Sequence, residues 1–170
     1  MPDEPFRLRV LKALTDHIKT AHELLADDVD EYGRPLPHVF RGRDIFGQND
    51  ALPIISILEA PEEGRRVDTK APFTTQQNFW RLLIQGFVQD DPDNPTDTAY
   101  LISAHVVRCV AELKRQKYNI LGFGEKKPCV VDLEIGAPIV RPADNEVSDV
   151  SFFYFPVTLH LVENMENPFQ

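Results

Sequence analysis

The sequence predicts a single α+β domain in the order α-β-β-β-α-β-β, a mostly antiparallel or mixed sheet covered by two main helices. Three observations lead there. Two stretches place apolar residues at three- and four-residue spacing, the period of a helix with one buried face. Several others alternate apolar residues at every second position or are apolar on both alternations, as strands do. No internal repeat or low-complexity linker divides the 170 residues, and that length suits one domain with a sizeable core, here residues 5 to 163 with short tails.

The first helix is expected from Pro5 to Leu25. Leu11, Leu14, Ile18, Ala21 and Leu25 share a face, and Arg9, Lys12, Asp16 and Lys19 form a separate solvated stripe. Pro5 suits the first turn, and Asp3 with Glu4 complements the positive end of the helix. Glycine and proline punctuate residues 27 to 50, where only His38–Phe40 reads as a short strand. "LPIISILE" is apolar on both faces and predicts a strand covered on two sides, with Pro53 marking an end or an edge. Trp80, Leu82, Ile84 and Val88 then share one face of a long strand. These two strands form a hairpin whose extended tip is "APEEGRRVDTKAP".

Asn94 followed by Pro95 predicts the cap and first turn of the second helix, supported by Asp97. Its buried stripe is Ile102, Val106, Cys109, Val110 and Leu113, and Lys114, Arg115 and Lys117 complement its negative end. In the final third, Cys129, Val131, Leu133 and Ile135 alternate with Val130, Asp132 and Glu134. Phe153, Phe155, Val157, Leu159 and Leu161 alternate with Phe152, Tyr154, Thr158 and His160. These two strands complete the sheet on which the helices pack.

Composition narrows the function. Hydrophobic residues make up 42% of the chain, ordinary for a soluble globular protein. The N-terminus opens with acids and prolines, so neither a signal peptide nor a membrane span is expected, and synthesis in the cytoplasm is the default. A net charge of −9 disfavours DNA binding as the main task. The two cysteines read as buried thiols without a C-x-x-C pair.

A search for chemistry finds no cofactor, metal or catalytic signature. His17 and His22 lie five apart and face different directions, and no histidine pair brackets a glutamate at helical zinc spacing. The acids Asp90, Asp91, Asp93 and Asp97 lack the glycine and the distal glutamate of a calcium loop, so a solvated loop and helix cap account for them. Asp132 and Glu134 share a strand face, as in some magnesium nucleases, but no third acid or lysine accompanies them on that strand. "GRDIFG" is not a phosphate loop, and no nucleophile elbow is present. Arg41 and Arg43 lie beside Asp44 and Asp50, a mixture better suited to ion pairs than to gripping an anion.

The segments "FRLRVLKALTDHI", "VFRGRDIFGQNDALPIISILEA" and "FWRLLIQGFV", in that order, resemble the tail terminator (tail completion) proteins of long-tailed phages. The most specific part is the phrase holding Val39-Phe40, Gly42, Gly47, Asp50, Leu52-Pro53, Ser56 and Leu58-Glu59. The resemblance implies a minor tail protein of the virion, assembled from host cytoplasm into a hexameric ring on the head-proximal end of the tail tube. There it would stop tube polymerisation and provide the head–tail joining surface, without cofactor or turnover. The implied partners are copies of itself, the tail tube protein and a head–tail connector or neck protein, with DNA passing through the lumen unbound and no membrane. On this reading Arg41, Arg43, Asp44 and Asp50 make charged subunit or tube contacts, and Phe46 is an apolar anchor. Glu62, Glu63, Arg65 and Arg66 on the hairpin tip face the tube or the lumen. The alternatives are another phage neck or tail-tube-associated protein and, behind it, a metal-dependent nuclease using Asp132 and Glu134.

Overall fold

The computed structural model describes residues 4–21, 37–46, 49–60, 75–124, 128–144 and 147–169. They form α1 (Phe6–Lys19), β1 (His38–Arg41), β2 (Ile54–Glu59), β3 (Thr75–Phe87) and α2 (Asp97–Glu112). A 3-10 segment (Leu113–Gly122), β4 (Cys129–Ile135), β5 (Ile139–Arg141) and β6 (Phe152–Asn164) follow. The strands make one mixed sheet in the order β1-β2-β3-β6-β4, with β5 also on β6. The β1–β2 pair is parallel and every other pair antiparallel. The class is α+β as the sequence predicts, with one strand more than expected. That strand, β5, is three residues between Pro138 and Pro142, too short to show an alternation.

Residue parity explains the layers. On β3, Trp80, Leu82 and Ile84, with Val88 just past its end, point to the helices, beside Leu159, Val157, Phe155 and Phe153 of β6 and Ile57 and Ile55 of β2. The helices add Phe6, Val10, Leu14 and Ile18 from α1 and Ala99, Ile102, Val106 and Val110 from α2 to this core. Each buried Leu, Ile, Val or Phe contributes about 1.5–3 kcal/mol by leaving water, so this layer dominates stability. His17 Nε2 donates to the carbonyl of Cys109 at 2.7 Å, while the Cys109 thiol donates to the carbonyl of His17 at 3.3 Å. This reciprocal pair fixes α1 against α2.

One end of the central β3–β6 pair needs a glycine. Gly86 lies opposite Phe153, and a Cβ there would overlap the Cε1 and Cζ atoms of that ring. Phe153 is fully buried and stacks on Phe155 with centroids 6.4 Å apart. Further along the same strand, Pro156 lies within β6 and offers no N–H to the neighbouring edge. The edge answers by breaking into β4 and β5, and Gly136 N–H donates to the Pro156 carbonyl at 2.8 Å across the break.

Several local expectations shift. α2 begins at Asp97 after Thr96, not at the Asn94–Pro95 pair. Asp91 Oδ1 accepts the N–H groups of Asp93 and Asn94 at 2.9 and 2.7 Å, which holds those residues in a separate turn before the helix. Lys114, Arg115 and Lys117 lie beyond the last turn of α2, in the 3-10 segment. The simple alternation of β4 fails because a register shift falls between Val130 and Asp132. Val130 and Leu133 therefore face the core, and Val131 is 51% exposed. Cys109 is buried as expected, but Cys129 is only half-buried. Asp3 and Leu25 lie outside the described residues, and Glu4 pairs with Lys12.

One polar network docks α1 on the sheet. Arg7 donates to Glu163 through Nε at 3.0 Å and Nη2 at 2.6 Å, and Asn78 Nδ2 adds a third bond at 2.8 Å. The guanidinium also lies 5.1 Å from the Trp80 ring centre. Glu163 is 6% exposed, so removing Arg7 strands a carboxylate with little water. Arg7→Ala is expected to cost about 2 kcal/mol in urea unfolding. Glu163→Gln, which keeps one acceptor oxygen and leaves no buried charge, is expected to cost less.

Candidate subunit interface

The helices cover one face of the sheet, and the opposite face has a different cover at each end. Near β1 and β2, residues 42–46, 49 and 50 fold over it. Gly42 turns the chain at φ 65° and donates its N–H to Ile57 at 2.9 Å. Ser56, fully buried in β2, donates its hydroxyl to the carbonyl of Arg43. Arg43 then joins the loop together. Its Nη2 meets Asp50 Oδ2 at 2.6 Å, and its guanidinium carbon lies 4.7 Å from the ring centres of both Phe40 and Phe46. Phe46 packs at 5.8 Å from Phe40 and 5.2 Å from Phe87, and Phe87 continues to Phe152 at 6.2 Å. The result is an aromatic row pinned by one arginine.

The candidate interface residues thus divide. Arg43, Phe46 and Asp50 come together, but on their own sheet, where each has intramolecular partners. Arg41 and Asp44 are exposed, and between the folded residues Ile45 stands 80% exposed. Glu62, Glu63, Arg65 and Arg66 lie outside the described residues. Sequence reasoning missed Phe40, Ser56 and Phe87 as parts of this unit. The concentration of phenylalanines was visible, but their meeting depends on the β1–β2–β3 register.

The remainder of this face is open. Phe79 is 47% exposed and meets His160 edge-on at 4.5 Å, while Arg81 and Pro156 are exposed beside half-buried Leu83 and Tyr154. Asp132 and Glu134 do share this face, and each has a basic neighbour. Lys114 Nζ lies 3.9 Å from Asp132, and His160 Nε2 lies 3.0 Å from Glu134. The 3-10 segment thus brings up a lysine from a distant part of the sequence. Among the described residues, no three His, Cys, Asp or Glu side chains group as a metal site, and no helix is long and apolar enough to cross a membrane. The sequence matches no protein-family model and no curated protein.

Proposed function

We propose that this chain is a tail-terminator subunit, a structural protein that assembles as a ring on the head-proximal end of a phage tail tube. Tube growth stops where the ring sits, and its outer surface receives the head-side connector. The reading rests on the resemblance of residues 39 to 60 to that family. One structural observation supports it: the described residues of this stretch are tied together by Arg43, Phe46, Asp50 and Ser56, leaving Arg41, Asp44 and Ile45 displayed. A rigid loop presenting an apolar residue between charges limits the ordering cost of docking. In the virion, copies of the chain, the tube protein and the connector are the partners, and DNA passes through the ring.

The test is to mix the purified chain with growing tail tubes and to image tube ends by negative-stain electron microscopy. Tubes are expected to stop with a ring on one end. An Arg41→Glu, Ile45→Asp double variant is expected to cap about tenfold less efficiently, with an unchanged unfolding midpoint, because neither side chain is buried. Tubes that elongate equally with and without the wild-type chain would refute the function. Full capping by the double variant would remove this loop from the contact.

A further inference from the structure

Opposite charges collect at the two ends of α2. At its start stand Asp93 and Asp97, and the loop carrying Asp149 is fastened to the same place, because Ser151 donates its N–H to Asp90 and its hydroxyl to the carbonyl of Pro95. Asp93, Asp97 and Asp149 are all exposed, and none forms an ion pair with a described cation. At the far end the 3-10 segment makes a tight hook. Lys117 adopts φ 48° and ψ −99°, a backbone that glycine takes readily and other residues resist. The hook holds Arg115 and Lys117 exposed, with Tyr118 beside them at 85% exposure. In a chain of net charge −9, this is a local reversal of sign.

Helix-dipole complementarity explains only part of the pattern, because that effect fades within one turn. It covers Asp97. It does not cover Asp149, which lies on another loop, nor Lys117 and Tyr118, which lie beyond the helix. The two patches are separated by the 16 residues of α2, about 24 Å of helix, and the Debye length in physiological salt is about 8 Å. They therefore do not neutralise each other within one chain.

We infer that the basic hook of one subunit docks on the acidic end of a second copy, with Tyr118 as the aromatic anchor between Arg115 and Lys117. The patches differ, so the contact repeats in one direction, and a head-to-tail contact closes into a ring when the rotation per copy divides the circle. The inference deepens the proposed ring by giving it a contact, and it rests on that reading only for the claim that the closed form sits on a tube.

Charge-swapped full-length chains test it by sedimentation velocity and native mass spectrometry at low salt. The wild type is expected to associate and to dissociate as salt rises. Arg115→Glu/Lys117→Glu and Asp93→Lys/Asp149→Lys, all at exposed positions, are each expected to be monomeric. An equimolar mixture of the two variants is expected to regain assembly, because every contact then joins opposite charges. Tyr118→Ala is expected to weaken association about tenfold. A monomeric wild type at millimolar concentration, full assembly by either double variant, or a mixture that stays monomeric would overturn the contact. Rings that assemble through it but ignore tube ends would sink the capping function and leave the contact standing. Capping retained by Arg115→Glu/Lys117→Glu would do the reverse.

Discussion

Gly86→Val is expected to leave little folded protein. The new side chain would need the volume already held by the Phe153 ring, which is buried against Phe155 and cannot swing into solvent. Overpacking of this kind costs about 1–3 kcal/mol where neighbours can yield, and more where they cannot. Here the collision falls at the second-last pair of the ladder formed by β3 and β6, thirteen residues each, so relief requires that end of the two central strands to open. A loss of about 4 kcal/mol would consume much of the 5–15 kcal/mol that holds a typical domain together. The single tryptophan, Trp80, lies buried on β3 and reports unfolding in urea by its fluorescence. Gly86→Ala should destabilise less, and less again in a Phe153→Leu background, since the partners share one space. A Gly86→Val protein with a wild-type midpoint would show that the Gly86–Phe153 contact is wrong.

The second large effect is expected at the pinned loop. Arg43→Ala/Phe46→Ala removes the aromatic plug between Phe40 and Phe87 together with the cation that covers the Phe40 and Phe46 rings and holds Asp50. Loss of about 3 kcal/mol is expected, most of it from Phe46, since truncating a buried phenylalanine costs about 3–5 kcal/mol and this one is half-buried. The single variants should couple by about 1 kcal/mol, because the guanidinium stacks on the ring that the other substitution deletes. Under the proposed function, tube capping should fall as well, through loosening of Arg41, Asp44 and Ile45 rather than through loss of a direct contact. Arg41→Glu/Ile45→Asp should reduce capping without moving the urea midpoint. Equal effects of the two pairs on stability would show that the loop is not pinned as described.

These two sites also mark how far the sequence could be read. The long strands were legible because Trp80, Leu82 and Ile84 or Phe153, Phe155 and Val157 repeat at the period of the pleat, and burial enforces that period on every residue. The stripe of α2 was legible for the same reason. The bulge after Val130 was not, since one extra residue reverses the phase without leaving a signature in composition. The start of α2 was misplaced because Asn94–Pro95 has good capping chemistry, yet Asp91 already uses the local N–H groups for a turn. For the loop, the sequence put Arg41, Arg43, Asp44, Phe46 and Asp50 in one contact surface and did not separate Arg43, Phe46 and Asp50, which close on their own sheet. That depends on Phe40 and Phe87, which the fold brings to the same corner from strands on either side of β2.

The position of β6 has a consequence for how the chain is made. It is the last strand in sequence, yet it sits inside the sheet, bonded to β3 along one side and to β4 and β5 along the other. Until that strand leaves the ribosome, β3 exposes an unpaired apolar ladder and the helices have half a surface to cover. The nascent chain therefore completes its core late, after loop closures spanning most of its length, and such topologies acquire structure slowly. Cells making many copies at once would meet this open intermediate before any finished subunit, and chaperones that shield β3 during translation should raise the yield of soluble protein.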